Sequence, residues 1–217
     1  MTLADWLDIC AQRFAERPFV ITDEVTLSYR QVAEESERLA AGLAAVGVEP
    51  GDRVGMVMAN CAEFVMVKFA IARLGAIAVP FNYLYRQDEL RYVLADSGCR
   101  VLVTMSRFGQ LDYCAMLDGI VAGWDRPGFS DRAASDDDPL PALRAVVLMS
   151  RDPATPRSGA LCLHDLEGAE YSAKPVSPSA PADMLYTSGS TGFPKGVLTS
   201  HDAVLRTAYA SALTRAY

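Results

Sequence analysis

Apolar residues along the first hundred positions alternate between a helical rhythm and short continuous runs. Leu3, Trp6, Leu7, Cys10 and Phe14 recur at three- and four-residue steps, which predicts an amphipathic helix docked by one stripe. "FVITDEVTLSY" at 19–29 reads as two short strands around an Asp23-Glu24 turn. Ser28 with Gln31 gives a capping box for a helix faced by Val32, Leu39, Leu43 and Val46 and ended by Gly47. Val54 to Ala59 is a nearly unbroken apolar strand. Asn60 with Glu63 is placed to cap a helix that Gly75 stops, and Ala76 to Val79 supplies another strand. This is a β-α-β unit, whose strands run parallel with a right-handed crossover. The pattern repeats: Asp88 and Glu89 suit a helix start, Leu90, Val93 and Leu94 face inward, Gly98 terminates, and Arg100 to Thr104 is a strand. Together these elements predict an α/β fold, a largely parallel sheet with helices on both faces.

Regularity then lapses. Residues 118–142 are rich in turn formers and acids and read as a mobile excursion before a strand at Ala145 to Met149, and 151–182 is similarly irregular. Order resumes with strands at Met184 to Thr187 and Val197 to Thr199, followed by a helix opened by Ser200 and Asp202. The chain divides at this point into an α/β subdomain over 1–182 and a hairpin with the start of a helix over 183–217.

Composition narrows the choices. The 217 residues are 51% hydrophobic, enough to bury a core, and Asp and Glu outnumber Lys and Arg by 27 to 20 with no basic run. Broad attraction to nucleic acid or anionic lipid is excluded, so an anionic ligand must be held by local chemistry. Five scattered cysteines without a CxxC pair and two distant histidines, His164 and His201, give neither a zinc site nor a disulfide framework. Cys61 and Cys99 read as core filling. No apolar run is long enough to span a bilayer and the N-terminus is not a signal peptide, so a cytoplasmic location is expected.

The chemistry concentrates in "YTSGSTGFPKGV" at 186–197. Glycines 189, 192 and 196 let backbone approach a ligand closely, the hydroxyls of Thr187, Ser188, Ser190 and Thr191 add donors, and Lys195 adds a full charge. A phosphate chain needs all of these. A Walker loop does not fit, because Lys195 stands between Pro194 and Gly196. Nor does a nucleophile elbow, since Ser188 occupies the place of its first glycine. A Ser-Lys hydrolase at Ser188 or Ser190 is a further alternative, and a flexible polar hairpin is the plainest one.

"LYTSGSTGFPKGVLTSH" resembles the phosphate-binding signature of the adenylate-forming (AMP-dependent synthetase/ligase) superfamily, and "GAIAVPFNYLYRQDEL" with its flanks is similar to that family's N-terminal half. The "VPFNYLYRQDEL" segment looks more like an acyl- or aryl-CoA ligase than a peptide-synthetase domain. The resemblance implies that a carboxylate attacks the α-phosphate of ATP to give an acyl-adenylate and pyrophosphate, and that coenzyme A then takes the acyl group. It implies that Thr187, Ser188, Gly189, Ser190, Thr191, Gly192, Lys195 and Gly196 hold the β- and γ-phosphates, that Mg²⁺ bridges phosphate oxygens, and that Lys195 offsets charge on the leaving pyrophosphate. His201 is expected to cap or pack at the helix start rather than touch ligand. A loop of this composition is expected to be weakly ordered without nucleotide. Family members are more than twice this length, with the adenine pocket, hinge and second-step lysine downstream. The chain is therefore expected to be an N-terminal portion, inactive by itself, with an uncovered apolar face prone to self-association. A non-catalytic scaffold that kept the fold is the alternative from another functional class.

Overall fold

The structure, a computed structural model, describes residues 1–132, 138–149, 157, 159–168, 171, 174–187 and 194–215. Helix α1 (Leu3–Phe14) begins where Thr2 Oγ1 accepts the Asp5 N–H and the Asp5 carboxylate accepts the Thr2 N–H, a reciprocal cap. Its buried stripe is narrower than the sequence suggests. Leu3, Ala4, Leu7 and Cys10 are covered, whereas Trp6 and Phe14 are 45% and 39% exposed. Phe14 instead lies at the rim under the Arg17 guanidinium, 4.9 Å from its ring centre. The hairpin β1 (Pro18–Ile21) and β2 (Thr26–Ser28) leads through the Ser28–Gln31 capping box into α2 (Tyr29–Ala45), which buries Val32, Leu39 and Leu43.

The central unit is β3 (Arg53–Val57), α3 (Ala62–Arg73), β4 (Ile77–Pro80), α4 (Gln87–Ser97) and β5 (Val101–Thr104). β3 pairs in parallel with both β4 and β5, as the apolar runs predict. The cap expected at Asn60 is absent: α3 starts one residue later on Cys61, which makes no side-chain capping bond, and Asn60 stays exposed. Helix α4 ends on Gly98 at φ 59°, a left-handed position that a residue with a Cβ adopts at a cost.

Then come a small hairpin, β6 (Arg107–Phe108) with β7 (Leu111–Asp112), and α5 (Tyr113–Ile120). Strand β8 (Ala145–Leu148) follows with β9 (Leu161–Cys162), and then β10 (Pro181–Thr187), β11 (Lys195–Ser200) and α6 (His201–Thr214). The expected excursion at 118–142 is anchored over its described part. α5 reaches into it, Ile120, Val121 and Trp124 are buried, and a 3-10 turn covers Phe129–Asp131. Its acidic surface hides apolar anchors, Ile120, Val121 and Trp124, that are too few to stand out among its polar residues. Arg157 completes the tie, with Nη2 2.6 Å from Asp118 Oδ2 and Nη1 3.2 Å from Asp125 Oδ2.

Seven strands form the main sheet in the order β11-β10-β4-β3-β5-β8-β9. All neighbours run parallel except β10 and β11. Alternate residues feed two cores. Val54, Met56, Val101, Val103 and Val147 pack with Leu7, Leu39 and Val67 under α1, α2 and α3. Val57, Leu102, Val146 and Leu148 pack with Leu90, Val93 and Leu117 under α4 and α5. Strands covered on both faces are largely apolar, which is why β8 is an uninterrupted hydrophobic run and β5 is one up to its last residue, Thr104. Each fully buried leucine here contributes about 1.5–3 kcal/mol by leaving water.

Candidate phosphate-binding site

The hairpin β10–β11 carries the described part of the candidate loop. Its antiparallel register sets Thr187 opposite Lys195, Tyr186 opposite Gly196 and Leu185 opposite Val197. Thr187 and Lys195 are exposed, so a hydroxyl and an ammonium stand side by side at the two feet of the loop. Ser188, Gly189, Ser190, Thr191 and Gly192, and with them the expected weak order of the loop, lie outside the described residues. Because β10 runs parallel to β4, the hairpin tip rises at the carboxyl edge of the sheet, beside the ends of β4, β3 and β5. Open parallel sheets bind ligands at that edge.

Gly196 is fixed by packing rather than by unusual backbone. A Cβ there would meet Met184 Cε at 2.4 Å and Sδ at 3.3 Å, and its φ is not in the left-handed range. Met184 lies diagonally across the hairpin and fills the space a side chain would need.

Helix α4 holds both feet. Tyr92 Oη donates to the Pro194 carbonyl at 3.2 Å, and Tyr186 Oη donates to Asp96 Oδ2 at 2.6 Å. Burial, reinforced by the Asp96 carboxylate, pushes the Tyr186 phenol well above its ordinary range, so it stays a donor. The Tyr186 ring tilts against Phe81, centroids 5.8 Å apart, just past the end of β4. At the root of the hairpin, Asp183 is 3% exposed and its Oδ2 accepts from Lys68 Nζ of α3 at 2.9 Å.

His201 is buried as the first residue of α6, where its Nδ1 accepts the Leu3 N–H at 3.3 Å. Five strand steps of about 3.3 Å separate Lys195 from Ser200, so the imidazole lies at the far end of β11 from the loop. It packs at the helix start, as expected from its position after Ser200. His164 is exposed. Cys99 is buried, with its thiol pushed up to about 12 by desolvation, and Cys61 is half-buried with its thiol also raised by burial. Neither is a nucleophile.

Tyr92, Asp96, Lys68 and Asp183 were not singled out from sequence. Only Asp183 left a signal, a carboxylate at the start of the apolar strand "MLY". The other three reach the hairpin from helices 80 or more positions away, for example Tyr186 from Asp96 across 90 residues.

The AMP-binding enzyme family matches residues 7–217. The chain belongs to that family. It is 30% identical over 216 residues to the mitochondrial medium-chain acyl-CoA ligase ACSF2 of Mus musculus, covering 94% of this chain and 34% of that protein. Among solved structures, a putative long-chain-fatty-acid CoA ligase from Rhodopseudomonas palustris superposes with a TM-score of 0.80 at 27% identity, covering 99% of this chain and 48% of the other. The anthranilate CoA ligase AuaEII, solved with anthranoyl-AMP, gives 0.76 at 26%, covering 93% and 35%. The chain thus spans about a third of the length of the ligase ACSF2. These relatives are acyl- and aryl-CoA ligases, and the parallel sheet flanked by helices is theirs as well.

Proposed function

We propose that this chain is the phosphate-gripping portion of an ATP-dependent carboxylic acid–CoA ligase. The observation that carries the reading is the Thr187–Lys195 pair at the tip of a hairpin on the carboxyl edge of the sheet, within a member of the AMP-binding family. A carboxylate attacks the α-phosphate of ATP, the bond to the bridging oxygen breaks, and pyrophosphate leaves with the growing negative charge. The Lys195 ammonium offsets that charge, while the Thr187 hydroxyl and the loop backbone orient the β- and γ-phosphates. The donor set of cation, hydroxyl and close-packed backbone suits a polyphosphate, with Mg²⁺ carried in on the phosphate oxygens. The coenzyme A thiol then displaces AMP to give the thioester. Adenine, acyl and thiol contacts belong to the rest of the ligase, and the chain by itself is inactive.

Five scattered cysteines without a CxxC pair support a reducing compartment such as the cytoplasm. The exposed apolar side chains Leu185, Val197, Leu198, Tyr209 and Leu213 around β10, β11 and α6 support self-association of the isolated chain.

Acid-dependent exchange of labelled pyrophosphate into ATP by the full-length protein tests the reading. Lys195→Ala is expected to slow exchange by about 10²–10³-fold, the effect of removing one charge-stabilising donor. No exchange with any acid of a broad panel, or an unaltered rate in Lys195→Ala, refutes it. Covalent labelling of Ser188 or Ser190 by a serine-reactive probe would favour the hydrolase alternative instead.

A further inference from the structure

Among the described residues the hairpin's backbone ladder to the rest of the sheet is short, although β10 lies alongside β4. β10 shares a single register pair with β4, Asp183 opposite Ala78, whereas β3 and β4 share four. Beyond Asp183 the strand carries Thr187 and Lys195 outward, supported by α4 on one side. The register at the root and the ties to α4 together set where the tip points.

That root holds charge instead of hydrocarbon. Asp183 Oδ2 takes the Lys68 ammonium at 2.9 Å, while its Oδ1 is buried with no hydrogen-bond partner among the described residues. His201, 0% exposed, accepts the Leu3 N–H on Nδ1, so its own proton sits on Nε2, and that atom too is buried with no hydrogen-bond partner among the described residues. The same cluster lies beside Thr2, whose backbone N–H bonds the Asp5 carboxylate, and it connects α1, α3, β10 and the start of α6. An ion pair that buries its carboxylate and leaves polar atoms unmet is a poor way to gain stability, since apolar side chains of equal volume do as well or better. It is an effective way to fix register. Sliding β10 by one residue would turn Asp183 to the opposite face, away from Lys68, and bring Met184 into its place.

Resting on the phosphate-gripping reading above, we propose that Lys68, Asp183 and His201 are positioning residues. They form a polar pin, half-buried at Lys68 and buried at Asp183 and His201, beside the Asp183–Ala78 ladder pair, and they set the register of β10 so that Thr187 and Lys195 meet the phosphates. The pin acts through the strand and touches no substrate.

The test pairs amide exchange with steady-state kinetics of the full-length protein. Asp183→Asn leaves Lys68 without its countercharge and is prone to misfold, so the informative variant is Lys68→Met with Asp183→Leu, which removes the ion pair and keeps the site filled. The double variant is expected to unfold at a temperature close to wild type. Amide protection of 184–187 and 195–198 should fall by about tenfold or more, while that of β3 and β5 is unchanged. KM for ATP should rise by about tenfold with KM for the acid unmoved, while Lys68→Arg with Asp183 intact should keep it near the wild-type value. Wild-type hairpin protection and an unaltered KM for ATP in the double variant would overturn the proposal. A purely structural role predicts loss of protection throughout the sheet, which also counts against it. If the wild-type protein shows no acid-dependent exchange, the ligase reading fails, but the exchange data still decide whether the pin holds the hairpin.

Discussion

Single side chains at this hairpin work by proximity, and each makes a separate prediction. Gly196 is crowded by Met184, so Gly196→Val should destabilise the hairpin by roughly 1–3 kcal/mol, the usual cost of overpacking. Met184→Ala in the same chain should recover part of that loss, a non-additivity that urea unfolding of the two single variants and the double variant would measure. His201 supplies a pH dependence. Burial holds its pKa below the ordinary 6.5, against the opposing pull of Asp183 and Asp5, with the N-terminal ammonium adding to the depression. In the unfolded chain the imidazole takes a proton near pH 6.5, while the folded chain resists it. Stability from this residue is therefore complete above 6.5 and declines as the pH falls toward the lower folded value. Lys68, bonded to Asp183, keeps part of the carboxylate charge from the imidazole. Urea midpoints at pH 7.5 and 5.5 should differ less in His201→Gln than in wild type; equal differences would show that another group governs this range.

At the scale of the element, the hairpin is a lever held from two sides. Helix α4 ties its upper part through Tyr92 to Pro194 and through Tyr186 to Asp96, and each bond is worth about 1 kcal/mol net. Tyr186→Phe should therefore loosen the feet of the loop while leaving the parallel strands intact. Faster amide exchange at Lys195 to Val197 with β5 unaffected is the expected result, and uniform exchange across the sheet would contradict it. The helices depend on local chemistry to a greater degree. The reciprocal cap at Ser28 was legible as a short pattern, whereas that at Thr2 came only with the structure, and Thr2→Ala or Ser28→Ala should each cost about 1 kcal/mol in thermal or urea unfolding. Asn60 shows the limit of that legibility. It has the right chemistry for a cap, yet the chain enters α3 one residue later, because the buried end of β3 fixes where the backbone turns.

For the molecule as a whole, the decisive feature is an edge. β11 is the outermost strand of the sheet, and Val197 and Leu198 on it are 48% and 54% exposed, with Tyr209 and Leu213 of α6 nearby in sequence and equally uncovered. An exposed apolar edge strand invites pairing. Sedimentation of the isolated chain should show concentration-dependent association that Leu198→Lys with Leu213→Lys abolishes; a monomer at all concentrations would count against it.

Periodicity and composition by themselves determined the alternation of helices and parallel strands, the capping residues Ser28 and Ser200, and the clustering of glycines, hydroxyls and a lysine at 187–196. Those features depend on residues within a few positions of one another, where spacing is geometry. Tertiary structure alone decided that Trp6 faces water, that Trp124 anchors an acidic loop, and that Lys68, Tyr92 and Asp96 converge on a hairpin some 90 to 115 residues away. Contacts at such separations exist only once the sheet has set the order β11-β10-β4-β3 and brought α3 and α4 to opposite sides of the same strand pair. No local pattern encodes them, because each is the product of where whole elements pack rather than of what any one segment prefers.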